Sequence, residues 1–110
     1  MINIKLFFQD KILIGIESKG HSGYSEKGSD IICSAVSVLM QSLVLGLSEI
    51  AKINGLECEI NDKIPLIKIT WPKEFDSKIN VLTNTVSESL KQIAQQNSDY
   101  IKIFYEEKKL

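Results

Sequence analysis

The chain contains no arginine, and all thirteen of its basic residues are lysine. Arginine supplies the bidentate contacts that are typical of phosphate and base recognition, so its absence argues against a dedicated nucleic-acid binder. The net charge of −1 provides no field that would attract nucleic acid or an anionic membrane. We therefore expect neither of them as a direct partner.

Export and membrane signals are also missing. The N-terminus begins with alternating apolar and polar residues instead of a basic segment and a long apolar run, so no signal peptide is predicted. No apolar run reaches the roughly 20 residues that cross a bilayer, so no membrane span is predicted either. With only two cysteines, the chain fits a reducing cytoplasm in which both thiols stay free.

Hydrophobic periodicity predicts seven elements in the order ββαββαβ. Alternating apolar and polar side chains predict strands over residues 2–9, 12–19, 56–60, 67–71 and 100–105. Helical spacing predicts one helix from Ser29 or Asp30 to about Lys52 and a second over residues 75–97. This order is typical of an α+β fold with a largely antiparallel sheet and two helices packed on one face. Without repeats or linkers, residues 1–110 are expected to form one domain.

The only histidine and one cysteine flank a loop that contains several glycines. His21 lies at the end of the second predicted strand, and Cys33 follows twelve residues later in the first turn of the first predicted helix. A thiolate is the attacking species in cysteine catalysis, and a nearby imidazole can generate and hold it. Backbone N–H groups at a helix start favour negative charge and could stabilise an oxyanion. His21 and Cys33 are therefore the candidate catalytic pair.

Asp30 has two compatible roles, three residues before Cys33. It could cap the helix, or it could orient the His21 imidazole as the acid of a catalytic triad does. A carboxylate placed very close to the thiolate would oppose its formation. The distances of the Asp30 carboxylate from His21 and from the Cys33 sulfur determine whether it helps or opposes formation of the thiolate.

The two cysteines occupy different environments in the predicted elements. A helical wheel places Cys33 on the polar side of the first helix, where a thiol is accessible and reactive. The opposite face is expected to pack in the core and comprises Ile31, Ile32, Ala35, Val36, Val38, Leu39, Leu43, Leu47 and Ile50. Cys58 is in phase with Leu56 and Ile60 on a strand face that is expected to be buried, which predicts an inert thiol.

Metal and cofactor sites are not indicated. His21, Cys33 and Cys58 lack the paired spacing of a zinc site. The glycines at positions 20, 23 and 28 do not form a phosphate loop, because no lysine and hydroxyl residue follow in register. We expect no metal and no cofactor.

The segment G-H-S-G-Y…G-S-D-I-I-C-S-A-V-S, residues 20–37, resembles the signature of the ribosomal-processing cysteine proteases, the Prp family. That family has a G-H-x-G-Y-type turn and a helix start of the form G-x-D-I-V-C-A-A-V-S. Matched residue by residue, His21 and Cys33 correspond to the catalytic dyad, and Asp30 and Ser37 to supporting motif positions. Gly20 and Tyr24, on either side of the histidine, are the candidates for substrate contact.

The resemblance also implies a function. It implies a homodimeric cytoplasmic cysteine endopeptidase that removes an N-terminal extension from a large-subunit ribosomal protein, with cleavage after an aromatic pair. The alternative is a noncatalytic ribosome-assembly or binding module of the same fold, in which His21 and Cys33 are residual. The glycine-flanked loop from Ser22 to Gly28 suggests a lid that orders over substrate, although a plain surface loop has the same composition.

Overall fold

The computed structural model describes residues 1–23 and 30–108. Its strands are β1 (Ile2–Gln9), β2 (Ile12–Lys19), β3 (Glu57–Asn61), β4 (Leu66–Thr70) and β5 (Ile101–Glu107). Its helices are α1 (Ile31–Leu45), continued by the π-helical segment Gly46–Ile50, and α2 (Asp76–Gln96), which follows a short 3-10 turn. The predicted order ββαββαβ is confirmed. Strand β5 runs two residues beyond its predicted end because it pairs with β1 as far as Phe8.

The five strands form one sheet in the order β3-β4-β2-β1-β5. Strands β1 and β2 form a hairpin whose two turn residues, Asp10 and Lys11, have φ values of 51° and 66°. Two positive φ values in succession match the twist that a tight hairpin needs. Within the described residues, β1–β2, β2–β4 and β3–β4 are antiparallel pairs, and β1 and β5 are parallel. This is the largely antiparallel sheet that the sequence predicts.

One face of the sheet carries the core together with both helices. The sheet contributes Ile2, Ile4, Leu6, Ile16, Ile69 and Ile101, all at most 2% exposed. The helices contribute Ile32, Val36, Met40, Leu43, Leu47, Ile79, Val86 and Leu90 to the same cluster. On the other face, Glu17 of β2 pairs in register with Lys5 and Lys68 on the neighbouring strands. Phe7 on the same face is buried, with the Lys68 and Lys108 ammonium groups over its ring. This arrangement confirms the predicted packing of two helices on one face.

The orientation of α1 differs from the helical-wheel prediction. Ile31, Val38 and Ile50, which were expected in the core, are 65%, 61% and 78% exposed. Met40, which the helical wheel places on the polar side, is fully buried. Cys33 is half-buried and packs against the core instead of pointing away from it. The prediction was wrong because α1 is apolar on nearly all sides, so its hydrophobic pattern does not determine which stripe faces the sheet.

One helix meets the length and composition criterion for a membrane span, although no unbroken apolar run in the sequence is that long. The continuous helix Ile31–Ile50 has 20 residues and a mean hydropathy of 2.0, which is sufficient by length and composition. Scattered serines interrupt its apolar runs, but they are too few to lower the average. The core helix of a water-soluble protein passes the same test, and five residues of this helix lie in the core cluster.

Cys58 lies on the predicted face of its strand, but it is not buried there as predicted. It pairs in register with Ile69, which pairs with Ile16, so the three lie in one row across the sheet. Ile16 and Ile69 are fully buried, whereas Cys58 is exposed. The prediction of burial was wrong because β3 is an edge strand, and all of its residues are exposed.

Candidate active site

A cleft of about 800 Å³ lies between α1, the end of β2 and the β3–β4 hairpin. Gly20, His21, Asp30, Cys33 and Ser37 all line it. The structure therefore brings together every predicted site residue that it describes. Tyr24 and most of the proposed lid lie in residues 24–29, outside the described ranges, so both remain predictions.

The walls of the cleft are mainly apolar. They include Ile2, Val36, Val38, Ile60, Pro65, Leu66 and Ile67. The hairpin between β3 and β4 adds Asn61 and Asp62, and the Asn61 side chain accepts the N–H groups of Lys63 and Ile64 at 2.9 and 3.2 Å. The sequence analysis did not connect this hairpin with the site. Only the sheet order, which places β4 beside β2, brings it close to His21.

Cys33 is the third residue of α1. Its thiol is free and half-buried, and its Sγ accepts the backbone N–H of Ser22 at 3.3 Å. An N–H that points at sulfur stabilises the thiolate relative to the thiol. The nucleophile candidate is therefore held between a helix start and a backbone donor from the segment that carries His21.

Asp30 caps α1. Its Oδ1 accepts the N–H groups of Ile32 and Cys33 at 3.0 and 3.1 Å, and its Oδ2 accepts the Ser22 hydroxyl. The structure thus shows the capping role, and no hydrogen bond joins Asp30 to His21 within the described residues. The expected use of helix-start N–H groups for an oxyanion does not hold for Ile32 and Cys33, because both already donate to Asp30.

The Asp30 carboxylate is charged at neutral pH although the residue is only 5% exposed. Burial raises its pKa, but hydrogen bonds from the Ser22 hydroxyl, from the N–H and thiol of Cys33, and from the Ile32 N–H together lower it below its ordinary value. A negative charge therefore lies beside the nucleophile and opposes formation of the thiolate. Positive groups or N–H donors must offset it.

His21 lies on the rim of the cleft and is exposed. Within residues 1–23 and 30–108, its imidazole makes no hydrogen bond or ion pair, so the ring can turn toward Cys33 or a bound peptide. Gly20 fixes the backbone before it: its N–H donates to the Pro65 carbonyl at 2.8 Å. Gly20 has a φ of +103°, and a Cβ there would lie 2.5 Å from the Met1 carbonyl oxygen.

Two serines, Ser37 and Ser22, add polar contacts near Cys33. Ser37 follows Cys33 by one helical turn and accepts a hydrogen bond from the Gln41 side chain at 2.9 Å. Ser22 is buried, with 3% of its surface exposed. Sequence analysis did not single out Ser22, because a serine among glycines is typical of a surface loop. Among residues 1–23 and 30–108, no three metal-ligating side chains converge.

The sequence model of the cysteine protease Prp family matches residues 1–102. The chain belongs to this family. It is accordingly a cysteine protease, and family membership favours the catalytic interpretation over the noncatalytic binding module. A comparison with curated proteins finds no match.

Three solved structures are similar to this chain in architecture. SMU.848 from Streptococcus mutans is 26% identical with a TM-score of 0.79, covering 98% of this chain and 96% of that one. The essential ribosomal processing protease Prp from Staphylococcus aureus, with a covalently linked product peptide, is 21% identical with a TM-score of 0.79. With a substrate peptide it is 19% identical with a TM-score of 0.76. Both cover 96% of this chain and 100% of theirs, and at these identities they show the shared fold.

Proposed function

We propose that this protease removes the N-terminal extension of a large-subunit ribosomal protein and cleaves after aromatic residues. The observation that carries the proposal is the half-buried Cys33 thiol, which lies with His21 in one apolar cleft and accepts a backbone N–H. The staphylococcal relative is named a ribosomal processing protease and was solved with peptides. That relationship supports a ribosomal protein as the substrate of this chain.

The chemistry follows from the two side chains. The Cys33 thiolate attacks the scissile carbonyl carbon, and a C–S bond forms while the carbonyl oxygen becomes an oxyanion. The tetrahedral intermediate collapses, the C–N bond breaks, and the protonated His21 imidazole donates its proton to the leaving amine. Neutral His21 then removes a proton from water, which attacks the thioester. The N-terminal fragment leaves as a carboxylic acid and the thiolate is restored.

The shape of the cleft supports a peptide substrate with apolar residues beside the scissile bond. Its walls between α1 and the β3–β4 hairpin are mainly apolar, which suits aliphatic and aromatic side chains. Asp62 and the capping Asp30 are its acidic groups, and no lysine lies among its described lining residues. A cationic ribosomal protein segment therefore meets no lysine among these lining residues.

The proposal includes a homodimer in the cytoplasm that does not bind nucleic acid directly. Several large apolar side chains are exposed, including Ile31, Leu45, Ile50 and Val81. A second copy that covers part of this surface would lower its cost in water. The helix Ile31–Ile50 then serves as a core helix of a soluble enzyme.

Mass spectrometry of a cleavage reaction tests the function. The protein is mixed with a ribosomal protein that retains its N-terminal extension, and the products are weighed over time. We expect one cut after an aromatic residue by the wild type and by Cys58→Ser, and no cut by Cys33→Ala. An intact substrate after prolonged incubation with folded wild-type protein would contradict the proposal.

A further inference from the structure

Ser22 connects the two catalytic candidates through two separate contacts. Its backbone N–H donates to Cys33 Sγ at 3.3 Å, and its hydroxyl donates to Asp30 Oδ2. Asp30 in turn accepts the Cys33 N–H at 3.1 Å through its other oxygen. The residue directly after His21 is therefore linked to the nucleophile both directly and through the helix cap.

The hydroxyl contact restrains the residue that carries the N–H. Ser22 is buried, with 3% of its surface exposed. Its hydroxyl bonds to the buried Asp30 carboxylate, and its backbone N–H lies 3.3 Å from Cys33 Sγ. The hydrogen bond to Asp30 therefore helps to hold the Ser22 peptide group toward the sulfur.

The same hydrogen bond moderates the negative charge beside the thiol. Oδ1 of Asp30 is shared between the N–H groups of Ile32 and Cys33, and Oδ2 receives the Ser22 hydroxyl. A hydroxyl that donates to a carboxylate withdraws part of its charge. Ser22 thus adds a donor at the sulfur and weakens the adjacent repulsion, and both effects favour the thiolate.

We propose that Ser22 is a positioning residue of this protease, which holds the Cys33 thiolate and the backbone of His21 in their reactive arrangement by anchoring to Asp30. The proposal rests on the proposed function, because it takes Cys33 as the nucleophile. Ser22 is buried and acts through Asp30 and its own N–H. A loss of the hydroxyl should therefore lower kcat more than it raises KM.

The first test measures the alkylation rate of Cys33 against pH in a Cys58→Ser background, which leaves one thiol. We expect Ser22→Ala to slow alkylation at neutral pH by about tenfold and to shift the rate profile to higher pH. Ser22→Thr keeps the hydroxyl and should restore most of the rate. Ser42→Ala, an exposed serine farther along α1, is the matched control and should leave the profile unchanged. A Ser22→Ala profile that coincides with that of the Cys58→Ser parent would overturn the proposal.

A double-mutant cycle distinguishes an effect of Ser22 that acts through Asp30 from a general disturbance of the site. Asp30→Asn keeps an oxygen for the cap but replaces the acceptor of the Ser22 hydroxyl. If Ser22 acts through Asp30, adding Ser22→Ala to Asp30→Asn should slow alkylation much less than it does in the parent. Fully additive effects would contradict the anchoring role.

NMR of protein that retains Ser22 and Asp30 tests the N–H contact without relying on these variants. In ¹⁵N-labelled protein, the amide resonance of Ser22 should titrate together with Cys33 and stop titrating in Cys33→Ser. A Ser22 amide that does not respond to the ionisation of Cys33 would refute the N–H contact. Cleavage that persists in Cys33→Ala would instead reject the proposed function, so the two failures are distinguishable.

Discussion

Asp30 and Cys33 are coupled through the start of α1: the Asp30 carboxylate accepts the Cys33 N–H at 3.1 Å. The residue that caps the helix therefore also sets the charge beside the nucleophile. A capping carboxylate stabilises the helix start, while its charge opposes thiolate formation. The Asp30 side chain therefore affects both the stability of the helix start and the reactivity of the Cys33 thiol.

Removing the cap should destabilise the protein. Asp30→Ala leaves the N–H groups of Ile32 and Cys33 and the Ser22 hydroxyl without their acceptor, so we expect a loss of about 1–3 kcal/mol in the free energy of unfolding. Urea denaturation of the wild type and variant measures it. Asp30→Asn retains an acceptor for the helix start and should lose less. Equal stability of Asp30→Ala and the wild type would disprove the capping contribution.

The contribution of Asp30 should depend on pH with a definite sign. Its pKa is lower in the folded protein, so its stabilising effect is fully present above the ordinary carboxyl value of about 4. The effect is lost as the pH falls through the folded-state pKa. The difference in unfolding free energy between the wild type and Asp30→Asn should be constant near neutrality and shrink on acidification. A difference that grows as the pH falls would contradict the direction of this shift.

The two thiols should differ in reactivity despite the exposure of Cys58. Desolvation by neighbouring atoms raises the pKa of the Cys58 thiol, whereas Cys33 has an N–H donor on its sulfur. At about pH 6, where an ordinary thiol is almost wholly protonated, iodoacetamide should label Cys33 first, as peptide mapping would show. Faster labelling of Cys58 would mean that access, not activation, controls the reaction.

Cys58 should also matter little for stability. Its side chain is exposed on the edge strand β3, so Cys58→Ala should change the free energy of unfolding by less than about 0.5 kcal/mol. This expectation replaces the larger cost that a buried cysteine would imply. Urea denaturation of the variant checks it, and a loss of several times that size would show a packing role for this edge.

His21→Ala should lower the cleavage rate without changing the stability of the fold. Because the side chain is exposed and makes no hydrogen bond among the described residues, the thermal midpoint should stay near that of the wild type. The rate of peptide cleavage should fall by about 10²–10⁴-fold, the usual contribution of general acid–base catalysis. Cleavage at the wild-type rate would remove His21 from the mechanism.

The sequence predicted the elements and the candidate pair because both are encoded locally. Alternation along β1 indicates that Ile2, Ile4 and Leu6 face the core, and the segment from Gly20 to Ser37 carries the family signature. In β2 the alternation breaks at a bulge opposite Phe7 and Phe8, so that Leu13 and not Ile14 joins the core. The exposure of Cys58 depends on which strands the helices cover, which alternation within one strand cannot show. The orientation of α1 was ambiguous because the helix is apolar on most sides. The contact between Ser22 and Asp30 could be identified only from the tertiary fold, because no pattern in the sequence pairs these two residues.

The central claim is that Cys33 is the nucleophile, and trapping the covalent intermediate tests it most directly. Wild-type protein is mixed with the extended ribosomal protein, quenched in acid during turnover, and analysed by intact-mass spectrometry and peptide mapping. We expect an adduct with the mass of the N-terminal fragment, less one water, joined to Cys33 as a thioester. An adduct on Cys58, or steady cleavage by Cys33→Ala, would contradict the account.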